Sequence, residues 1–247
     1  VNLGFFSANT CYWQIRMEAS PATGVQNRVL VCYKGSYKAD PYFTDGNSSN
    51  DKYVTNVWRG ELIYQPEAAL LGVQYGLDPV DADIIVTNAS HWVFNNAGLS
   101  NGSRLTGLLG YEVDQLTGYE PSNTTMLASS PAVDLKTGEQ ITSHMTIYTA
   151  PRGARVFSTG SIQWSWGLDD FNVPNLRGSR LSAAAQQITH NVLQNFGAVR
   201  GPSATPTSTP TQTPTPTQTS TPTPTFTPAP PAQIHYWHFD EAGSSTA

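Results

Sequence analysis

The sequence predicts a mixed α/β domain, then a Thr/Pro-rich linker, and then the first strand of an all-β domain. Seven short apolar segments bounded by turn-forming residues are typical of β-strands. One stretch near residue 190 carries apolar residues at helical spacing. After Gly201 the composition changes abruptly to Thr and Pro. The chain has 247 residues, which is enough for one substantial domain with further segments.

The predicted strands are rich in Val, Ile, Phe and Tyr, which fit a pleated and partly buried surface. They span residues 2–7, 28–33, 82–87, 107–111, 125–128, 145–149 and 154–159. Between Lys34 and Glu67 the sequence is polar and rich in turn formers, so we expect a long loop. A loop of this length in a compact domain is usually functional.

Two helices are predicted. In residues 179–196, apolar side chains including Ile188 and Val192 recur at helical spacing, and Gly197 supplies a stop signal. This helix is expected to pack its apolar stripe against a sheet. In residues 66–71, the opening Pro-Glu pair suits the first turn of a shorter helix.

Residues 202–232 carry no charged group and almost no large apolar group. Such a segment cannot bury enough surface to fold, and its prolines favour an extended spacer of roughly 3.1 Å per residue. Residues 233–247 begin with an apolar alternation followed by a turn, which is typical of the first strand of an all-β domain. We interpret the spacer as a tether between two modules of a secreted or cell-surface protein.

The charge pattern argues against several classes of partner. The formal net charge is −5 and no basic run is present, which excludes a phosphate-binding surface for nucleic acid. No apolar run approaches the roughly 20 residues of a membrane span. Cys11 and Cys32 are too few for a disulfide framework, and the sequence does not decide whether they form a bridge.

The polar residues after the first predicted strand are the first candidates for chemistry, because ligands bind at the carboxyl ends of strands in α/β sheets. Cys11 could be a nucleophile on a strand-to-turn elbow. The elbow template, however, places Asn9 at the tip. We therefore favour Asn9 as an amide donor that stabilises an oxyanion.

Two further segments follow predicted strands. Glu112 is placed for general-base work, with a surface acid as the alternative. In residues 160–170, Trp164 and Trp166 could form a pocket wall, while Asp169 and Asp170 could hold a cation. The alternative is structural: the tryptophans anchor a loop on the core and the aspartates cap turns.

Five motifs, at residues 2–16, 31–34, 65–72, 110–114 and 160–170, resemble in order the N,N-dimethylformamidase large (β) subunit family. The resemblance covers residues 1–197. Residues 236–241 resemble the start of a laminin-G-like, concanavalin A-like jelly roll.

The resemblance implies that residues 1–201 are an N-terminally incomplete domain similar to class I glutamine amidotransferases, which are flavodoxin-like. It implies hydrolysis of small N-substituted formamides at a mononuclear iron held by tyrosine and carboxylate ligands. Those ligands are expected upstream of Val1, so this chain alone should bind no metal and be inactive. By motif match, Asn9 is a polar site residue, Glu112 is the base that activates water, and Lys34 is a further candidate.

Three functions are consistent with the sequence. The first is a secreted amidohydrolase that cleaves a C–N amide bond with a metal-activated water. The second is a non-catalytic extracellular protein that binds glycan or protein through the C-terminal β domain. The third is a cysteine hydrolase that uses Cys11.

Overall fold

The computed structural model describes residues 1–171, 173–175 and 177–198, which belong to one compact unit. The predicted linker at residues 202–232 and the predicted jelly-roll strand within residues 233–247 lie outside the described residues. Both therefore stay predictions.

The strands of the described part differ widely in length. They are β1 (Leu3–Phe5), β2 (Arg16–Glu18), β3 (Val29–Val31), β4 (Gln74–Ile85), β5 (Arg104–Gln115), β6 (Thr125–Val133), β7 (Gln140–Thr149) and β8 (Arg155–Ser158). Strands β1, β8, β7 and β6 form a four-stranded sheet in that order. Strand β1 runs parallel to β8, and the other two pairs are antiparallel.

The two longest strands, β4 and β5, pair with each other as an antiparallel ribbon with several register shifts. Strands β2 and β3 form a small antiparallel ribbon of their own. An isolated bridge between Val86 and Ala128 links the end of β4 to β6, and another between Val113 and Ser161 links β5 to the segment after β8. The ribbon is thus joined to the four-stranded sheet at β6 and to the segment that follows β8.

Helices are few. The α-helices of the described part are α1 (Pro41–Thr44), α2 (Ala68–Leu71) and α3 (Ala183–Asn195), with 3₁₀ turns at Lys34–Ala39, Asp51–Tyr53, Trp92–Phe94 and Ile162–Gly167. The Ser182 hydroxyl accepts from the Ala185 N–H and caps α3, which is why the helix begins later than the periodicity alone predicts. Helix α2 ends at Gly72, whose φ of +77° suits a left-handed cap. No helix in these described ranges is long and apolar enough to cross a membrane.

The hydrophobic core lies between the β4–β5 ribbon, the four-stranded sheet and α3. Its largest fully buried side chains include Leu108, Leu127, Phe157, Trp164 and Ile188. Burying one such side chain contributes roughly 1.5–3 kcal/mol relative to leaving it exposed. This packing fixes the position of β5, which carries Glu112.

All seven predicted strands are present, and the two predicted helices are found in shortened form. Strand β2 was not predicted. Strands β4 and β5 extend well beyond the predicted 82–87 and 107–111. Gly76 and Pro79 hide the first half of β4, because both residue types are depleted in regular strands and occur at bulges.

The mixed α/β class is confirmed, but the described residues do not contain the doubly wound parallel sheet of a flavodoxin-like domain. Parallel neighbours need crossover connections, usually helices. Here the β6–β7 and β7–β8 connections are short turns, and they make the sheet mainly antiparallel. The single parallel pair is β1 with β8, among the strands described.

The polar stretch from residue 34 to 67 is ordered around one buried carboxylate, Asp40. Nη1 and Nη2 of Arg16 each donate to one of its carboxylate oxygens at 3.0 Å. The Thr55 N–H and hydroxyl donate to it at 2.9 and 2.8 Å. The Tyr42 N–H adds a bond of 3.1 Å. Burial alone would raise the pKa of Asp40, but these donors outweigh it and lower that pKa.

Candidate functional site

The turn after β1 holds the first predicted site residue. Asn9 and Cys11 have φ values of +51° and +55°, in the left-handed region that favours Gly and, next, Asn. The Asn9 backbone N–H donates to Oδ1 of Asp114 at 2.8 Å across 105 positions of sequence. The turn is therefore tied directly to β5.

The same asparagine contacts a second carboxyl group of β5. The Asn9 side chain also lies beside Glu112, where it favours the charged carboxylate and opposes the burial-driven rise in the pKa of Glu112. A contact that favours the charged carboxylate is a donor contact, so the amide nitrogen of Asn9 faces Glu112. The amide Oδ1 of Asn9 is buried without a hydrogen-bond partner. The fold thus brings together Asn9 and Glu112, the two residues predicted to carry the chemistry.

Burial dominates the electrostatics of both β5 carboxyl groups. It raises the pKa of Asp114, which is 1% exposed, to about 7. The neighbouring charges of Glu112 and Glu67 add to this rise, while the Asn9 N–H opposes it. Burial also raises the pKa of the half-buried Glu112, and the charge of Asp78 adds to the effect. Both carboxyl groups therefore keep their proton up to a higher pH than an ordinary carboxyl group does.

The backbone around Asp114 is held by the segment after β8. The Asp114 N–H donates to the Gly160 carbonyl at 3.0 Å, and the Ser143 hydroxyl donates to the Asp114 carbonyl at 2.9 Å. Gly160 has a φ of +66°, and a Cβ there would collide with the carbonyl oxygen of His144. Glycine is required at this crossing because two backbones approach each other closely.

A buried ion pair lies beside this cluster. Nη2 of Arg59 is 3.2 Å from Oε1 of Glu67, whose side chain is 1% exposed. The two groups are not aligned for a hydrogen bond. Arg59 also donates to the Tyr75 carbonyl at 3.1 Å and lies 5.0 Å from the centre of the Tyr12 ring. Burial raises the pKa of Glu67 despite Arg59, because the desolvation outweighs the attraction.

Tyr75 and Asp78 complete the cluster on β4. The Tyr75 hydroxyl donates to Oδ1 of Asp78. Burial, that hydrogen bond and the charges of Asp78 and Glu112 raise the pKa of Tyr75, so its hydroxyl stays protonated at neutral pH. A tyrosine held in this form can donate hydrogen bonds but does not act as a base.

Cys11 has the wrong electrostatics for a nucleophile. Burial of the thiol and the negative charge of Glu67 both raise its pKa. Reactive cysteines have a lowered pKa, because the thiolate is the attacking form. Cys11 and Cys32 are both free, so the bridge that the sequence left open is absent.

The residues predicted to wall a pocket have structural contacts. Trp164 is fully buried in the core and its indole N–H donates to the Thr189 hydroxyl at 3.0 Å. Trp166 lies under the Arg180 guanidinium, 5.0 Å from its ring centre. These contacts match the alternative in which the tryptophans anchor the segment on the core.

Asp169 and Asp170 likewise make contacts within their own segment. Asp169 accepts from the Phe171 N–H. Asp170 accepts from the Ser179 hydroxyl at 2.6 Å and lies 3.6 Å from Arg177. Lys34 is exposed at the start of a 3₁₀ turn and makes an interaction of its own. The site roles of Lys34, Trp164, Trp166, Asp169 and Asp170 stay predictions.

A cavity of about 610 Å³ lies between the β4–β5 ribbon and the segment before α3. Its charged groups are already paired. Arg180 donates to both oxygens of Asp81, at 2.7 and 2.9 Å, and the Gly107 N–H donates to Asp83 at 2.8 Å. These pairs account for the charges there as a structural network.

Sequence reasoning missed Asp114, Glu67, Arg59 and Tyr75. Asp114 could have been found, since it lies two positions after Glu112 on one strand and residues i and i+2 share a face. Glu67 lies in the motif at residues 65–72, but its sequence context predicted only the start of a helix. Arg59 and Tyr75 carry no local signal, because their place beside the site depends on how the long loop folds.

Across residues 1–171, 173–175 and 177–198, no group of three or more His, Cys, Asp or Glu side chains could hold a metal ion. That donor set does not include tyrosine, so the tyrosine- and carboxylate-ligated iron stays an expectation. The location of its ligands upstream of Val1 stays a prediction.

Comparison with known proteins agrees with the motifs. The family model described as N,N-dimethylformamidase beta subunit-like, C-terminal, matches residues 1–178. That range contains Asn9, Glu112, Asp114 and Glu67. No curated protein sequence shows significant similarity to the chain.

Proposed function

The chain belongs to the N,N-dimethylformamidase beta subunit-like family, in its C-terminal region, and from this premise we propose that it supplies the acid–base residues of an amide hydrolase. The family match supports a dimethylformamidase-related function. The observation that carries the proposal is the junction in which Asn9 contacts both Glu112 and Asp114. This junction places the Glu112 carboxyl group, whose pKa is raised by burial, beside Asn9 in the turn after β1.

Glu112 is the proposed general base. A water molecule attacks the carbonyl carbon of the amide, and the Glu112 carboxylate takes the proton of that water. The C–O bond forms while the carbonyl electron pair moves to oxygen. The tetrahedral intermediate then collapses, the C–N bond breaks, and Glu112 returns the proton to the leaving nitrogen. The products are a carboxylic acid and an amine.

Asn9 has two proposed parts in this step. One N–H of its amide donates to Glu112 and holds the carboxylate in place. A primary amide has a second N–H, which is the group left to stabilise the oxyanion. The buried Oδ1 of Asn9, which has no partner, can accept from the N–H of a secondary amide. The Asn9 residue thus both orients the base and meets the substrate.

The step proposed here uses only residues of this chain. The metal-activated water of the family remains a proposal that depends on residues outside the described ranges. The raised pKa of Cys11 disfavours the cysteine-hydrolase alternative. The non-catalytic alternative, binding of glycan or protein by the C-terminal β domain, concerns residues outside the described ranges and stays a prediction.

We also propose that the sheet belongs to a glutamine amidotransferase-like domain, with the parallel β1–β8 pair as support. The Thr/Pro composition of residues 202–232 supports a tether in a secreted protein.

The test is a Glu112→Gln variant of the complete protein that carries this chain, assayed on small N-substituted formamides. Loss of a general base is expected to lower kcat by about 10²–10⁴-fold. The matched control is Glu139→Gln, because Glu139 is an exposed glutamate in the turn before β7 and should leave kcat unchanged. Turnover of the Glu112 variant at the wild-type rate would exclude the role, and no turnover by the wild type would favour the binding alternative.

A further inference from the structure

A small cavity of about 300 Å³ lies beside the catalytic cluster and takes no part in the proposed step. Trp58, Pro66, Ala69 and Leu70 line its apolar side. Cys11 lies at its edge towards the turn after β1. The volume is at the small end of ligand pockets, which suits a compact molecule with an apolar body.

Glu67 is the charged residue among those that line this cavity. This side chain is 1% exposed, and its Oε2 has no hydrogen-bond partner. Nη2 of Arg59 lies 3.2 Å from the other oxygen, Oε1. A buried carboxylate oxygen without a partner costs free energy that a bound donor would recover. A hydrogen-bond donor bound in the cavity would supply a partner for this oxygen, and a charged donor forms the stronger bond.

The charges around the cavity favour a cation further. Glu67 acts on Asp114 and on Cys11 as a negative neighbour. Arg59 divides its contacts between Glu67, the Tyr75 carbonyl and the Tyr12 ring. Trp58 supplies an aromatic surface of the kind that contacts ammonium groups.

We propose that this cavity binds a small alkylammonium ion, with the ammonium group donating to Oε2 of Glu67 and the alkyl chain against Trp58 and Leu70. The inference stands on the cavity and the unpartnered oxygen. It does not depend on the hydrolase activity.

The experiment titrates the protein with n-butylammonium chloride and follows the backbone amide NMR signals of Cys11 and Leu70. Saturable shifts are expected at these two positions. 1-Butanol serves as the neutral probe of similar shape and should bind more weakly, because it lacks the charge. In Glu67→Gln, affinity for butylammonium should fall by about 10-fold or more, the value of a lost charge-assisted hydrogen bond.

Two further variants keep the test decisive. Glu61→Gln removes the charge of an exposed neighbouring glutamate and should leave binding unchanged. Leu70→Trp fills the cavity from a wall residue that is 46% exposed, so it should abolish binding without disturbing the Arg59–Glu67 pair. Absence of saturable shifts in the wild type, equal affinity in Glu67→Gln, or unchanged binding in Leu70→Trp would each overturn the proposal.

Discussion

Replacing Asn9 by Gly tests how the turn after β1 controls the base. Asn9→Gly removes the amide that contacts Glu112 and keeps the left-handed backbone, since Gly adopts a φ of +51° without strain. The lost contact stabilised the charged carboxylate, so the pKa of Glu112 should rise further. The base would then stay protonated up to a higher pH.

The magnitude follows from the contact. A hydrogen bond to a charged group is worth about 1.5–3 kcal/mol. Glu112 is half-buried, so solvent reduces the effect and we expect the lower end of this range. The acidic limb of the pH–rate profile should move to higher pH with the pKa of Glu112. A ¹³C NMR titration of the Glu112 carboxyl group measures the shift without any activity.

A second variant separates the amide from the backbone. Asn9→Ala also lacks the amide, but its Cβ makes the left-handed conformation cost about 1–2 kcal/mol. It should therefore show the same Glu112 titration as Asn9→Gly, with a lower free energy of unfolding. An unchanged Glu112 titration in Asn9→Gly would refute the reasoning, because the amide would then not hold the base.

The remaining predictions concern stability. Asp40→Asn should lower the free energy of unfolding by about 3 kcal/mol at pH 7 in urea denaturation, because it leaves Arg16 with a broken buried ion pair. Folding lowers the pKa of Asp40, so its contribution to stability is present above the unfolded pKa and is lost as pH falls through the folded pKa. A difference from wild type that does not shrink as the solution is acidified would contradict this. Gly160→Ala should destabilise by more than about 1 kcal/mol through strain and collision with the His144 carbonyl, and an unchanged Tm would contradict the close crossing.

Local sequence patterns predicted the elements well. The seven strands and the long helix were found because apolar periodicity and turn formers act over a few residues. The start of β4 was hidden by Gly76 and Pro79, which read as turn residues. Whether neighbouring strands are parallel is decided by the connections between them, so the mainly antiparallel sheet could not be deduced from the strands alone.

The sequence by itself predicted that Asn9 follows a strand and that Glu112 is a candidate general base. Only the tertiary structure decided that the two meet, that Asp114 is buried beside them with a pKa near 7, and that Glu67 faces a cavity. The physical reason is that residue type and spacing fix which groups can carry charge. The pKa and the partners of each group depend on burial and on neighbours more than 100 positions away, and folding alone brings those neighbours together.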